Sequence, residues 1–175
     1  MSPHPDAVPE REDDVLTGPA GRAVPAGRAV RAAPGADRPL YTARVANSGG
    51  TAGSVEVQDG ATLPTAGPGE AGAGYDPEQF LAMAWSTCLG ETLKVVLDAE
   101  GLAHRSRVRV EVELHADPRG GYRFVPTAYL AVEGAEPEEA RRLAAAAHAR
   151  CPVSKLLAGG EASVRVEPWG GPATS

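Results

Sequence analysis

Cys88 and Cys151 are the two cysteines of this 175-residue chain, and two thiols brought together can be oxidised to a disulfide and reduced again. In a compartment that keeps thiols reduced, two cysteines this far apart in sequence are better read as transiently oxidised or catalytic than as a permanent staple. Each also has a plainer reading. Cys88 lies in the middle of a long apolar stretch, where a free cysteine commonly packs as a small hydrophobe. Cys151 is followed by Pro152 and Ser154, so it occupies the position of a helix N-cap. There its sulfur would face unpaired amides and the positive end of the helix dipole, both of which favour thiolate.

Other residue types offer less. His148 stands three residues before Cys151, but one His and one Cys fall short of the three or four ligands of a zinc site. His4, His104 and His115 show no ligand or triad spacing. Ser86 and Ser154 lie in no nucleophile-elbow pattern, and the Gly-rich stretches lack the Lys of a phosphate loop. No metal and no bound cofactor are expected.

The net charge of -6 is spread without blocks, and no basic patch is interleaved with aromatics. Neither nucleic acid nor an anionic membrane surface is therefore an expected partner. No 18-residue apolar run is evident, and Met1 to Asp14 contain no apolar core of a secretory signal. The expected location is the cytoplasm.

Gly and Pro number 21 and 16, concentrated toward the front, while hydrophobic residues make up an ordinary 42%. Residues 1–38 are mostly Pro, Gly, Ala and Arg, with a near-repeat of Ala-Gly-Arg-Ala-Val at Ala20 and Ala26. Such a segment buries too little apolar surface to offset chain entropy, so a flexible arm is expected. A folded domain over residues 39–168 and a short tail over 169–175 complete the division.

Within the domain, Leu40 to Val45 alternate like a strand, and Asn47-Ser48-Gly49-Gly50 turns the chain into a second alternating run, Gly53 to Gln58. A Gly- and Pro-rich loop should span Gly60 to Tyr75. Asp76, Pro77 and Gln79 then provide the cap, first-turn proline and capping-box partner of a helix ending near Glu100 at Gly101. Its apolar residues, from Phe80 and Leu81 through Met83, Trp85 and Leu89 to Leu97, occupy most of the circumference and call for burial on nearly all sides. One small sheet cannot cover a helix of about 36 Å, so a second copy of the chain is expected to cover the rest. Val108, Val110, Val112 and Leu114 alternate with charged residues in a half-buried strand, and Asp117 to Gly121 return the chain into Tyr122 to Glu133, where Pro126 marks a bulge or edge. Pro137 opens a second helix through His148, Cys151-Pro152 a third, and Ala162 to Glu167 a last strand. The class is α+β.

The segment Tyr75-Asp76-Pro77-Glu78-Gln79-Phe80-Leu81-Ala82-Met83-Ala84-Trp85-Ser86-Thr87-Cys88, followed by Cys151-Pro152-Val153-Ser154, resembles the two signature stretches of the OsmC/Ohr family of organic hydroperoxide reductases. Leu40 to Ala43 with Gly49-Gly50 look like the Ohr branch, and Cys-Pro-Val-Ser like the OsmC branch. The resemblance spans about Pro39 to Glu167. It implies antiparallel sheets packed around long central helices in an intertwined homodimer, with Cys88 as peroxidatic and Cys151 as resolving cysteine. It also implies an organic hydroperoxide as substrate and an external dithiol, such as a lipoyl group or lipoylated protein, as reductant. In the family an Arg held by a Glu activates the thiol. The matching Glu is Glu78, although ten residues of straight helix separate it from Cys88 by about 15 Å, so the two would meet across a dimer, the favoured case, or through a bent helix. The family's Arg slots hold Thr51 and the Arg-free stretch Gly67 to Gly74, which leaves Arg44, Arg31 or Arg38 to substitute. Trp85, Leu81, Ala84 and Leu89 around Cys88 are either core or a pocket for a fatty or aromatic peroxide, each buried CH₂ contributing about 0.8 kcal/mol. The alternative function is a catalytically weak member of the fold, acting as a hydrophobic-ligand-binding module or a thiol redox sensor.

Overall fold

The computed structural model describes residues 39–70 and 72–170. The expected arm, residues 1–38, lies outside them, as do residues 171–175 of the tail. Two three-stranded sheets and three helices follow in the order β1 (Val45–Ser48), β2 (Ser54–Val57), β3 (Thr62–Pro64), α1 (Pro77–Ala99), β4 (Ser106–Ala116), β5 (Tyr122–Val132), α2 (Pro137–Arg150), α3 (Pro152–Leu157) and β6 (Ser163–Val166).

The first sheet has the order β1-β2-β3, all antiparallel. The expected opening strand at Leu40 begins later, at Val45, because the paired register starts at Val45↔Val57. Among the described residues Leu40 to Ala43 have no strand across from them, and Arg44 O accepts from Gln58 N at 3.0 Å. The Asn47-Gly50 turn forms as expected: Asn47 accepts from Gly50 N at 2.9 Å and donates to Gly50 O at 3.1 Å, while Gly49 and Gly50 take the positive φ that only glycine adopts cheaply. The stretch expected to be loop from Gly60 to Tyr75 contains β3, whose three residues are too few to show alternation. Thr65 ties this sheet together by accepting from Gly53 N at 3.0 Å and donating to Gly50 O at 2.7 Å.

Helix α1 starts where its cap dictates. The Asp76 carboxylate accepts from Gln79 N at 2.7 Å and the Gln79 side chain accepts from Asp76 N at 3.0 Å, a complete capping box. Asp76→Ala should therefore cost about 1 kcal/mol, read as a lower denaturant midpoint with an unchanged slope.

Within this chain α1 is buried along one stripe only: Trp85, Leu89, Leu93, Val96 and Leu97. These repeat at helical spacing and face β5 and α2, packing with Leu130, Val132 and Leu143 in the core. The expected burial on nearly all sides is not met by the described residues of one chain, since the sheet and α2 reach a single face. Met83 and Val95 remain 40% and 39% exposed. By length and composition α1 is also apolar enough to cross a bilayer, with mean hydropathy 1.3 over an 18-residue window, contrary to the expectation that no such stretch exists. Ser86, Thr87, Gly90 and Thr92 interrupt the apolar run without lowering its mean far.

The second sheet has the order β4-β5-β6. The β4–β5 ladder runs one-to-one from Ser106↔Val132 to Ala116↔Tyr122, with Val112 opposite Pro126. Pro126 thus makes no bulge; it precedes Thr127, where pairing with β6 begins, so among the described residues β5 is there paired by β4 alone, as the edge alternative expects of a residue without an N–H. The strand β6 pairs parallel to β5, a departure from the expected antiparallel sheets. A parallel neighbour needs a long crossover, and α2 and α3 supply it. That crossover places Cys151 beside α1.

Candidate active site

Cys88 is carried by the middle of α1 and Cys151 by the junction of α2 and α3. Their sulfurs lie 3.4 Å apart although 63 positions separate them in sequence. Cys151 closes α2 through its N–H to Ala147 O at 2.9 Å and caps α3 by accepting from Ser154 N at Sγ, 3.5 Å. The capping role read from the sequence is thus the observed one. Since α3 has only six residues, the individual donors beside the sulfur matter more than a helix dipole.

Both thiols are reduced in this arrangement. Burial pushes the Cys88 thiol up; the Val153 backbone N–H opposes this, and the neighbouring Cys151 reinforces it. Burial also works against ionisation of Cys151, but it is outweighed by the Ser154 hydroxyl, the Ser154 N–H, the Cys88 thiol and the Val153 N–H, so this thiol lies below its ordinary value. In the neutral pair the Cys151 S–H donates to Cys88 Sγ. Once Cys151 ionises, Cys88 becomes the donor. Forming a disulfide requires the sulfurs to close to about 2 Å, which small side-chain rotations can supply.

The remaining expected site residues are distributed unevenly. Trp85 and Leu89, both fully buried, belong to the core of this chain. Leu81 is half-buried and Ala84 exposed. Glu78 stands in the first turn of α1, and the helix is continuous from Pro77 to Ala99, so the separation of about 15 Å from Cys88 persists along it. Its Oε2 is shielded from solvent with no hydrogen-bond partner among the described residues, a costly state for a carboxylate. Thr51, with Asn47, Val55, Tyr75, Pro77 and Phe80, lines a largely apolar pocket of about 400 Å³ between the first hairpin and the start of α1; neither cysteine lines it. Arg44 donates to Gln58 at 3.4 Å on that hairpin. Arg31 and Arg38 lie outside the described residues.

One contact escaped the sequence reading. Trp85 Nε1 donates to Ser154 Oγ at 2.9 Å, with both residues buried. Ser154 lies in no nucleophile pattern, and its position three residues after a capping cysteine is the sequence signal of a different role.

The class defined here is an α+β domain of two three-stranded sheets and long helices that holds two free thiols 3.4 Å apart. The chain belongs to the OsmC-like protein family, whose profile matches residues 67–167. It is 32% identical over 126 residues to the organic hydroperoxide resistance protein OhrB of Bacillus subtilis, a match covering 69% of this chain and 92% of that protein. It is 34% identical over 123 residues to an organic hydroperoxide resistance protein-like protein of Mycoplasma pneumoniae, covering 67% and 87%. The crystal structure of Bacillus subtilis OhrB superposes with a TM-score of 0.68 at 31% identity, over 74% of this chain and 99% of that one. An organic hydroperoxide resistance protein OsmC from Legionella pneumophila gives 0.68 at 29% identity, over 75% and 98%. These relationships support a redox role of the Ohr/OsmC kind.

Proposed function

We propose that the chain is a thiol peroxidase that reduces organic hydroperoxides to alcohols. The observation that carries this reading is the 3.4 Å approach of two free sulfurs in a fold shared with proteins named for organic hydroperoxide resistance. Cys88, the more open thiol, attacks the distal peroxide oxygen as thiolate; the O–O bond breaks and the alkoxide leaves as alcohol after taking a proton. The resulting sulfenic acid condenses with Cys151, releasing water and forming the disulfide. An external dithiol, of the lipoyl kind, restores both thiols. A compartment that keeps thiols reduced, the cytoplasm, suits this cycle.

Such a cycle needs Cys88 ionised, and burial in one chain works against that. A cation near the thiol is required, and Glu78, with a shielded carboxylate oxygen that has no partner among the described residues, is fitted to hold a guanidinium. An intertwined homodimer supports both needs: it covers the open face of α1 and can bring Glu78 of one copy toward Cys88 of the other. A slower thiol sensor is the second reading, favoured by the upward push on Cys88.

The deciding assay follows an organic hydroperoxide with purified protein and dihydrolipoamide. Sustained peroxide consumption with a transient intramolecular disulfide is expected. A disulfide without sustained consumption would indicate the sensor, and neither would leave a ligand-binding module.

A further inference from the structure

The two sulfurs differ in access and in neighbours. Cys151 is 0% exposed, whereas Cys88 is only partly covered. Beside Cys151 lies Ser154, itself 1% exposed, whose N–H donates to Cys151 Sγ at 3.5 Å and whose Oγ accepts from Trp85 Nε1 at 2.9 Å. A serine oxygen engaged as acceptor by an indole still has its own proton to place. The Cys151 backbone N–H is already committed to Ala147 O, and the Ser154 hydroxyl stabilises negative charge on Cys151.

Building on the peroxidase reading, we infer that Ser154, oriented by Trp85, is a positioning residue that sets which sulfur is attacked when the disulfide is reduced: an external dithiol attacks Cys88 and Cys151 leaves. The dithiol's thiolate forms a new S–S bond to Cys88 Sγ, the Cys88–Cys151 bond breaks, and its electron pair goes to Cys151 as thiolate, held by the Ser154 N–H and hydroxyl. The reductant's second thiol, after losing its proton, then attacks the reductant sulfur in the mixed disulfide. This expels Cys88 as thiolate and leaves the reductant as a cyclic disulfide, oxidised by two electrons. Two physical factors select this direction. The enclosed sulfur of Cys151 is less open to an incoming thiol than that of Cys88, and the thiol of lower pKa is the better leaving group.

The test starts from full-length protein oxidised with diamide, so it does not depend on peroxide turnover. A brief pulse of 2-mercaptoethanol, acid quenching and peptide mapping should find the adduct on Cys88 in at least about tenfold excess over Cys151. In a Cys88→Ser background, the pH midpoint for alkylation of Cys151 should rise by about one pH unit on Ser154→Ala. Trp85→Phe should move it the same way by less. An adduct predominantly on Cys151, or a midpoint unmoved by Ser154→Ala, overturns this inference and leaves the peroxidase reading standing. Failure of diamide to bridge the two cysteines overturns both.

Discussion

Cys88→Ser should abolish dithiol-dependent consumption of organic hydroperoxide, a fall of roughly a thousandfold or more, as loss of an enzymic nucleophile ordinarily produces. Cys151→Ser should behave differently. It retains the first reaction with peroxide, accumulates a sulfenic acid that dimedone traps on Cys88, and loses sustained turnover. The contrast between the two variants is the informative part, because the isolated chain disfavours charge on Cys88 and favours it on Cys151. If the burial of one chain were the whole environment, Cys151 would be the thiolate and the dimedone adduct would appear there, in the Cys88→Ser protein. Efficient trapping on Cys88 in the Cys151→Ser protein would mean that loss of the neighbouring thiol, or a group beyond the described surroundings, offsets the upward push of burial on Cys88. A quenched-flow measurement of peroxide loss in a single turnover, with both variants and the parent, distinguishes these outcomes.

Trp85→Ala carries the largest expected loss of stability, about 3–5 kcal/mol. The indole is fully buried among α1, α2 and β5 side chains, so its removal leaves a cavity that the surrounding helices cannot fill, and it deprives Ser154 Oγ of its donor. Against a typical total of 5–15 kcal/mol, this is enough to leave a substantial unfolded fraction. Chemical denaturation should show a much lower midpoint. Trp85→Phe, which keeps most of the packing and loses the N–H, should cost nearer 1 kcal/mol. Equal losses for the two variants would show that the hydrogen bond, and not the volume of the ring, dominates.

Local chemistry was legible in the residues. The capping box of α1 forms with the partners that Asp76 and Gln79 dictate, the alternation of Val108 to Leu114 becomes a strand, and Cys151 caps α3. The resemblance carried by the two cysteine stretches reached the right family. Less was legible where a strand depends on its neighbours: β3 has only three residues, Leu40 finds no strand partner among the described residues, and of the bulge or edge that Pro126 marks only the edge is seen. Propensity describes a residue's own backbone, whereas pairing depends on what another segment offers across the ladder.

The sequence by itself determined most element types and the candidacy of both cysteines, since these follow from periodicity, caps and residue chemistry along a continuous stretch, and the resemblance of its two cysteine-bearing stretches pointed to the family. Only the tertiary structure decided that α1 is covered on one side by its own chain, and that Trp85 reaches Ser154. It also decided that the two sulfurs meet at 3.4 Å with Cys151 the more readily ionised. Those outcomes depend on the parallel return of β6, which carries α2 and α3 across the sheet and sets Cys151 against the middle of α1. A distance across 63 residues, and the desolvation that goes with it, arises from packing between segments and has no counterpart in the order of residues along either one.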